Sequence, residues 1–490
     1  MVEKNGDEVN YTVADPALAV QRPLCVDLDG TLTKVDTLHD TFILLLRKNP
    51  KALVKVPGWL AGGKANFKAH LTRAVALDVS QLPYNQALLE YLHHQRQLGR
   101  PIFLATGADR EVAERVAAYL GLFDGVLASD GTSNLTGKTK LARFRQFFNN
   151  GGFDYIGNAM PDLELLAASV EPKLANPSLA LRSSLRSRGI KIEQSFSDRA
   201  PVVPTVIRAT RVHQWAKNVL VFLPFILGHK WNLDVARLAL LAFFCFSFCA
   251  SGTYLVNDLL DMEADRHHHK KRMRPFAAGD LSVPAGIAIS AGLLSASAVC
   301  LFFLPLAFTE LLGVYFATTL AYSFYLKRMV LLDVLALSGL YTLRLLAGGA
   351  ATSTPISHWL SGFSIFLFLS LAIVKRFAEL QNTLQDGLIP KNGRGYQLSD
   401  LEQMRSFGTA SAFAAVVVFA NYISGFDVIA LYREPRLLWL VMPLLILWLC
   451  RVWLLASRGE LNEDPVVFAL TDRMSLLIGA AVAVIALLAS

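Results

Sequence analysis

Asn257-Asp258-Leu259-Leu260-Asp261-Met262-Glu263-Ala264-Asp265, followed by Lys270-Lys271-Arg272 and Arg274-Pro275, places an acidic cluster and then a basic one between apolar runs long enough to cross a bilayer. Wound as a helix, Asn257, Asp258, Asp261 and Asp265 fall within an arc of roughly 100°. Carboxylates gathered this closely repel one another unless a cation lies among them. Hard oxygen donors favour Mg2+, which keeps some waters and completes its shell with phosphate oxygens. The lysines and arginines that follow suit the remaining negative charge of a diphosphate. A merely solvated loop would not need its acids on one helical face.

Working outward, the 490 residues are 53% hydrophobic with a mean hydropathy of +0.40, which implies a membrane protein. The apolar residues are unevenly spread. Before about Pro201 the chain alternates polar and apolar segments as a soluble domain does. Beyond it, apolar runs of roughly 20 residues recur, the length a helix needs to span the hydrocarbon core. Nine spans are expected, at about 205–228, 237–256, 282–304, 307–326, 330–350, 357–377, 407–428, 436–456 and 474–490. The division expected is a disordered tail over 1–21, a soluble domain over 22–195, a linker over 196–204 and a membrane domain over 205–490.

Met1 to Asp15 is polar and holds no apolar core for a secretory signal, so the soluble domain is expected in the cytosol. The loops on that side would then carry Arg266, Lys270, Lys271, Arg272, Arg274, Lys327, Arg328, Lys375, Arg376, Lys391, Arg394 and Arg405, whereas Gly348 to His358 has no Lys or Arg. That asymmetry obeys the positive-inside rule and puts the two most charged loops, 257–281 and 375–406, on one face, where they can form one site. The net charge of +8 flanks membrane segments and points to lipid headgroups, not nucleic acid. Cys25, Cys245, Cys249, Cys300 and Cys450 show no metal spacing and read as buried, reduced thiols. His267 to His269 are adjacent and point apart on a helix, so they read as interfacial histidines near phosphate. His213 to Asn218, with Trp215 and Lys217, reads as a headgroup belt.

In the soluble domain, Pro23-Leu24-Cys25-Val26 reads as a buried strand ending in Asp27-Leu28-Asp29-Gly30-Thr31. Two carboxylates at the carboxyl end of such a strand sit in the ligand crevice of an open α/β sheet. One can attack phosphorus while its neighbour two residues on shuttles a proton. A second strand, Ile102 to Ala105, ends at Thr106-Gly107; Lys140 follows, and a further strand at Asp154 to Ile156 leads to Gly157-Asn158 and Asp162. These four pieces, in this order over about 22–185, resemble the haloacid dehalogenase-like phosphatase superfamily. The resemblance implies an α/β Rossmann-like fold with a helical cap over about 36–91, and Asp27 as the nucleophile forming an aspartyl phosphate. It further implies Asp29 as general acid and base, Thr106 and Lys140 on the phosphate, and Mg2+ held among Asp27, Asp29, Asn158 and Asp162. One position departs from the pattern: Asn158 stands where many relatives have a metal-binding aspartate, so its carbonyl would ligate with less charge.

From about Arg208 onward, the aspartate stretch, Arg274-Pro275 and the span pattern resemble the UbiA superfamily of intramembrane prenyltransferases. Its members hold a prenyl diphosphate through two aspartate-rich motifs and two Mg2+ ions. Here the second motif is replaced by Lys375-Arg376-Phe377-Ala378-Glu379-Leu380. Replacing carboxylates with Lys-Arg reverses the local charge, so this half of the site is expected to hold an anion directly. Lys375-Arg376 with Glu379, Tyr325-Leu326-Lys327, Leu343-Arg344, Arg394-Gly395-Tyr396 and Asp464-Pro465 look like the decaprenyl-phosphate phosphoribosyltransferases. That likeness implies phosphoribosyl diphosphate as donor and a polyprenyl phosphate as acceptor, both met at the membrane. Mg2+ on Asn257, Asp258, Asp261 and Asp265 would neutralise the leaving diphosphate, Lys270 and Arg274 would hold donor phosphates, and Lys327, Arg344, Lys375, Arg376 and Glu379 would serve the substrate phosphates.

The fusion implies two reactions in sequence, the soluble domain removing the ribose 5-phosphate that the transferase leaves on the lipid. Tethering would raise that intermediate's local concentration to about the millimolar range. The alternatives are an aromatic prenyltransferase using a polyprenyl diphosphate, and a lipid-binding protein or transporter without chemistry. The missing second acidic motif opposes the first and the aspartate cluster the second. The setting implied is the cytoplasmic membrane of a bacterium, with both active sites facing the cytosol and a homo-oligomer compatible with the sequence.

Overall fold

The computed structural model describes residues 4–5, 8–9, 22–229, 232–385, 395–461 and 464–490. The expected tail over 1–21 thus lies outside the described residues except for those four, as do Lys391 and Arg394 entirely. Two compact units form: Met1–Ala209 with Asp258–Gly286, and Thr210–Asn257 with Ile287–Ser490. The division falls inside the long helix Leu233–Leu260, so the acidic stretch from Asp258 onward packs with the amino-terminal residues.

The amino-terminal unit is built on six parallel strands: β1 (Leu24–Val26), β2 (Ile102–Asp109), β3 (Gly125–Ser129), β4 (Asp154–Gly157), β5 (Pro172–Ala175) and β6 (Gln194–Phe196). Their order across the sheet is β3-β2-β1-β4-β5-β6. β1 is central and wholly buried, which is why its residues are uniformly apolar instead of alternating. Strand order reverses at β1, with β2 on one side and β4 on the other, so the crevice at its carboxyl end is the switch point where open α/β sheets bind ligands. Between β1 and β2 lie the helices Thr37–Lys48, Val56–Ala61, Gly63–Ala74 and Gln86–Gln97, over the stretch where a helical cap is expected. Asp36 starts the first of them by accepting from the backbone N–H groups of Leu38 and His39.

The membrane unit is helical, and its apolar residues gather into cores along the helices from Leu332 to Ser457 and around Phe246, Phe308 and Tyr315. Among the described residues six helices are long and apolar enough to cross a membrane: Leu233–Leu260, Val283–Leu301, Leu332–Ala351, His358–Leu384, Leu398–Ile423 and Pro435–Ser457. A seventh arises if Pro465–Thr471 and Arg473–Ala489, bent by 76°, count as one broken span. The expected nine are not reached among the described residues. The run expected over 205–228 is broken at Arg211, whose backbone is left-handed (φ 53°), into Val202–Ala209, a 3-10 stretch at Val212–Phe222 and the short helix Leu223–Leu227. Leu306–Phe324 is a helix of 19 residues, but Glu310 and its hydroxyl-bearing residues dilute its hydropathy below that of the six. The sixth expected span also continues past Lys375 to Gln385, so Lys375, Arg376 and Glu379 lie inside a helix and not at its end.

Candidate functional site

In the amino-terminal unit the four sequence motifs converge at the carboxyl end of β1. Lys140, from the helix Gly137–Phe147, donates to Asp27 Oδ1 (2.9 Å), to the Ala105 carbonyl (3.2 Å) and to the Tyr155 hydroxyl (3.0 Å). Tyr155 in turn donates to Asp162 Oδ1 (2.7 Å), while Asp162 Oδ2 accepts from the backbone N–H groups of Asn158 and Ala159, both 3.1 Å. Both Asp162 oxygens are thus engaged in ordering the turn after β4. Thr106 is fully buried, its Oγ1 accepting from Ala108 N (2.9 Å). Asp29 accepts from Thr37 N (2.8 Å) at the start of the first cap helix.

Gly30 has φ +73°, and a Cβ there would lie 2.1 Å from the Asn158 amide. Only glycine lets Asn158 lie against the Asp27–Asp29 turn. Two carboxylates and an amide carbonyl beside a charged lysine form a hard, oxygen-rich donor set that fits Mg2+.

Burial pushes the Asp27 carboxyl up to about 6, Lys140 holding it below where burial alone would take it. Burial, reinforced by Asp36, raises half-buried Asp29 further, to about 8. Two neighbouring carboxyls with separated protonation ranges are what a nucleophile and an acid require.

Sequence reasoning missed Lys68, on the cap helix Gly63–Ala74, whose ammonium reaches the Gly107 carbonyl (2.5 Å) and Asn134 (2.9 Å) beside the phosphate-motif strand. It also missed Tyr155, the hydroxyl that links Lys140 to Asp162. Neither stands in a motif; only cap placement and strand register bring them in.

Asp258 and Asp265 converge as the helical stripe predicts. Both accept from the same Arg274 nitrogen, at 3.2 and 2.7 Å, and the Asp265 N–H bonds the Asp261 carbonyl (2.8 Å) across the helix end. Burial raises the Asp265 carboxyl, which Arg274 partly offsets. Asp261 is bonded by Arg47. Arginines thus lie among these acids, and no group of three or more His, Cys, Asp or Glu among the described residues has metal-holding geometry. The donors are of the right kind for Mg2+, being all oxygen, but Arg274 lies on the acids it was expected to complement. Lys270 is exposed on the following turn.

In the membrane unit the expected basic wall is more neutral than its sequence. Arg376 is 2% exposed; it bonds Asp333 (2.6 Å), both Glu379 oxygens (2.9 and 3.0 Å) and the Tyr322 hydroxyl (3.0 Å). Tyr396 also donates to Asp333, and takes the Leu331 N–H at 3.0 Å. Arg376 and Glu379, expected on the substrate phosphates, thus lie in an internal network.

Lys375 and Lys217 both donate to Asp464 Oδ2, at 2.7 and 2.8 Å, and Tyr341 bonds the other oxygen at 3.3 Å. Arg344 is buried on Asn218 (2.8 Å) and Tyr315 (3.1 Å), and lies over the Tyr341 ring at 5.4 Å, as Lys217 does at 5.6 Å. Two cations therefore lie over Tyr341, and one of them, Lys217, shares the Asp464 carboxylate with Lys375. Burial alone would raise Asp464, but the two lysines more than offset it and hold the carboxyl well below its usual range. Lys327 lies in the short 3-10 turn Leu326–Arg328. Lys217 was read only as part of a headgroup belt; its bond to Asp464, 247 positions away, leaves no sequence signature.

The family model described as the UbiA prenyltransferase family matches residues 219–479. An uncharacterized protein of Sinorhizobium fredii, y4nM, is 36% identical over 464 residues, which is 94% of this chain and 90% of that protein, so the match runs through both units. A decaprenyl-phosphate phosphoribosyltransferase of Mycolicibacterium smegmatis is 40% identical over 44% of this chain and 70% of its own length. Among solved structures, a UbiA homolog from Archaeoglobus fulgidus bound to GPP and Mg2+ is similar at 18% identity over 57% of this chain and 99% of that one, with a TM-score of 0.44. A HAD family hydrolase from Salmonella enterica subsp. enterica serovar Typhi is similar at 13% identity over 35% of this chain and 66% of that one, with a TM-score of 0.26. The membrane unit, the aspartate stretch and the matched length agree, and the chain belongs to the UbiA prenyltransferase family.

Proposed function

We propose that the membrane unit transfers 5-phosphoribose from phosphoribosyl diphosphate to a polyprenyl phosphate, and that the amino-terminal unit then removes the ribose 5-phosphate. The observation that carries this reading is the likeness to the mycobacterial phosphoribosyltransferase in a chain whose second acidic motif is Lys375-Arg376. In the transfer, a lipid phosphate oxygen forms a bond to the anomeric carbon as the bond to pyrophosphate breaks, the electron pair leaving with pyrophosphate. That oxygen is already ionised at neutral pH, so no strong base is needed. Bound at Asn257, Asp258, Asp261 and Asp265, Mg2+ would supply charge to the leaving group. Lys270 and Arg274 are assigned to the donor phosphates, and Lys375 with Lys217, Arg344 and Lys327 to the anionic head of the second substrate.

In the second reaction Asp27 attacks phosphorus and the bond to the ribose oxygen breaks. Asp29, raised to about 8 and so protonated at neutral pH, gives its proton to that oxygen. Water then cleaves the aspartyl phosphate, with Asp29 accepting its proton. Lys140 and Thr106 hold the phosphoryl group, and Asp27 with Asn158 would hold the Mg2+ that offsets its charge; Asp162 fixes the Asn158 turn. Both reactions are assigned to the cytosolic face of the cytoplasmic membrane.

The test is an assay with labelled phosphoribosyl diphosphate and polyprenyl phosphate. Asp258→Asn should stop all lipid labelling, and Asp27→Asn should leave the phosphorylated lipid accumulating. Unchanged products from Asp27→Asn would rule out the second step, and no pyrophosphate release from this donor would rule out the first.

A further inference from the structure

The helix Thr37–Lys48 belongs to the phosphatase-like cap, yet one of its faces is committed elsewhere. Asp40 and Arg47, seven residues apart, lie two turns along the same face. Asp40 is 2% exposed and its Oδ2 stands 2.7 Å from Arg266, itself 6% exposed. Arg266 Nε also donates to the Ala277 carbonyl (3.2 Å). Arg47 bonds Asp261 and donates to the Leu260 carbonyl (2.6 Å), the last carbonyl of the helix that carries Asp258. A guanidinium there satisfies an orphan carbonyl at the negative end of the helix.

The pairing continues with Lys48 on Glu263 (2.9 Å), His267 on Asp78 (3.0 Å) and Lys34 on Asp280 (3.3 Å). At Gly279, φ +73°, a Cβ would stand 2.7 Å from Lys34 Cβ and 3.0 Å from Pro83 Cγ, so the two backbones meet without room for a side chain. Acid faces base at five points between Asp261 and Asp280. None of these contacts involves Asp27, Asp29, Lys140 or Thr106.

We propose that the amino-terminal unit has a second role, separate from phosphate hydrolysis: it is the seat that holds the aspartate-bearing segment 258–286 in its working shape. Arg47 and the Asp40–Arg266 pair are the positioning residues. The activity arm of this inference rests on the transferase reading above, whereas its structural arm does not.

The test measures amide hydrogen exchange over 258–286 and phosphoribosyl transfer in the full-length protein. Asp40→Ala and Arg266→Ala should each speed exchange through that segment and lower transfer at least tenfold. The swapped pair, Asp40→Arg with Arg266→Asp, should recover part of both. Arg47→Ala, at a half-buried position, should speed exchange around 258–266 and lower transfer, and it decides the matter if the buried variants do not fold. Arg188→Ala, which breaks an exposed pair with Glu164 in the same unit, should change neither. Undisturbed exchange, or loosened exchange with transfer undiminished, would overturn the proposal. If the wild-type protein transfers no phosphoribose at all, the transferase reading fails by itself and the exchange arm still decides whether the segment is seated.

Discussion

Arg376→Met separates two roles that the sequence alone confounds, binding a substrate phosphate and holding the helices together. The guanidinium spends its donors on Asp333, Glu379 and Tyr322, and Asp333 is fully buried. Without Arg376, Asp333 keeps the Tyr396 hydroxyl but loses its counter-charge, and stranding one partner of a buried pair costs about 3–5 kcal/mol. Glu379, whose side chain is 38% exposed, adds little because water screens it. At about 2–4 °C per kcal/mol for a unit of this size, thermal unfolding in detergent should fall by roughly 6–20 °C, and the surviving Tyr396 bond favours the lower half of that range. The double variant Arg376→Met with Asp333→Leu removes both charges and should regain most of the loss, since a buried pair exchanged for apolar groups is often neutral. Phosphoribosyl transfer by the double variant, assayed below its transition, then decides the role. Turnover within about threefold of wild type fits a structural network. A stable but inactive double variant, or a single variant that unfolds within about 2 °C of wild type, would refute the reasoning.

Asp464→Asn keeps the hydrogen bonds of a cap to Val466 N while removing the charge between Lys217 and Lys375. If those lysines meet the lipid phosphate, KM for polyprenyl phosphate should fall about tenfold, one charge near 6 Å at an effective dielectric of about 20 being worth on the order of 1–3 kcal/mol; an unchanged KM would place the trio outside the site. In metal-free protein, Asp29→Asn should raise the unfolding temperature at pH 8 more than at pH 5. The sign follows from a folded pKa raised to about 8, which contributes stability at low pH that is lost as pH rises toward that value; an equal gain at both pH values would contradict the raised pKa. Lys140→Met removes the cation that holds Asp27 down, so phosphatase turnover should fall at least a hundredfold and the little that remains should shift to higher pH, as a pH profile would show. Lys68→Ala should raise KM for a phosphorylated substrate several-fold with kcat less affected, if the cap lysine helps select it.

Much of the amino-terminal fold was legible because its signals are local. Leu24-Cys25-Val26 is an apolar run too short for a helix, and the acids after it announce a strand's carboxyl end; the strand order then puts Asp27, Thr106 and Asn158 at one switch point. The spans were legible in number only roughly, because hydropathy counts residues but does not see Arg211 turn left-handed or the 76° bend between Thr471 and Arg473. The acidic stripe was legible for the same local reason as the strand: spacing of one and two helical turns needs no knowledge of the rest of the chain, and the structure does bring Asp258 and Asp265 to one nitrogen.

Charge availability was not legible, and the reason is general. A sequence displays each ionised group at full value, whereas in a low-dielectric interior a cation must be matched before the chain can bury it. Lys375-Arg376 therefore read as two positive charges facing an anion. In the folded protein Arg376 is matched by Asp333, 43 positions away, and Lys375 shares Asp464 with Lys217 from the far end of the unit. The same argument explains Arg47 on Asp261. Within the membrane unit, incomplete matching is thus what marks a cation open to a ligand: two lysines on Asp464 leave charge over, while Arg376 between Asp333 and Glu379 does not. Among the described residues, Lys217, Lys375 and Arg344 meet this criterion and Arg376 does not, so the search for the substrate phosphate proposed above starts at those three.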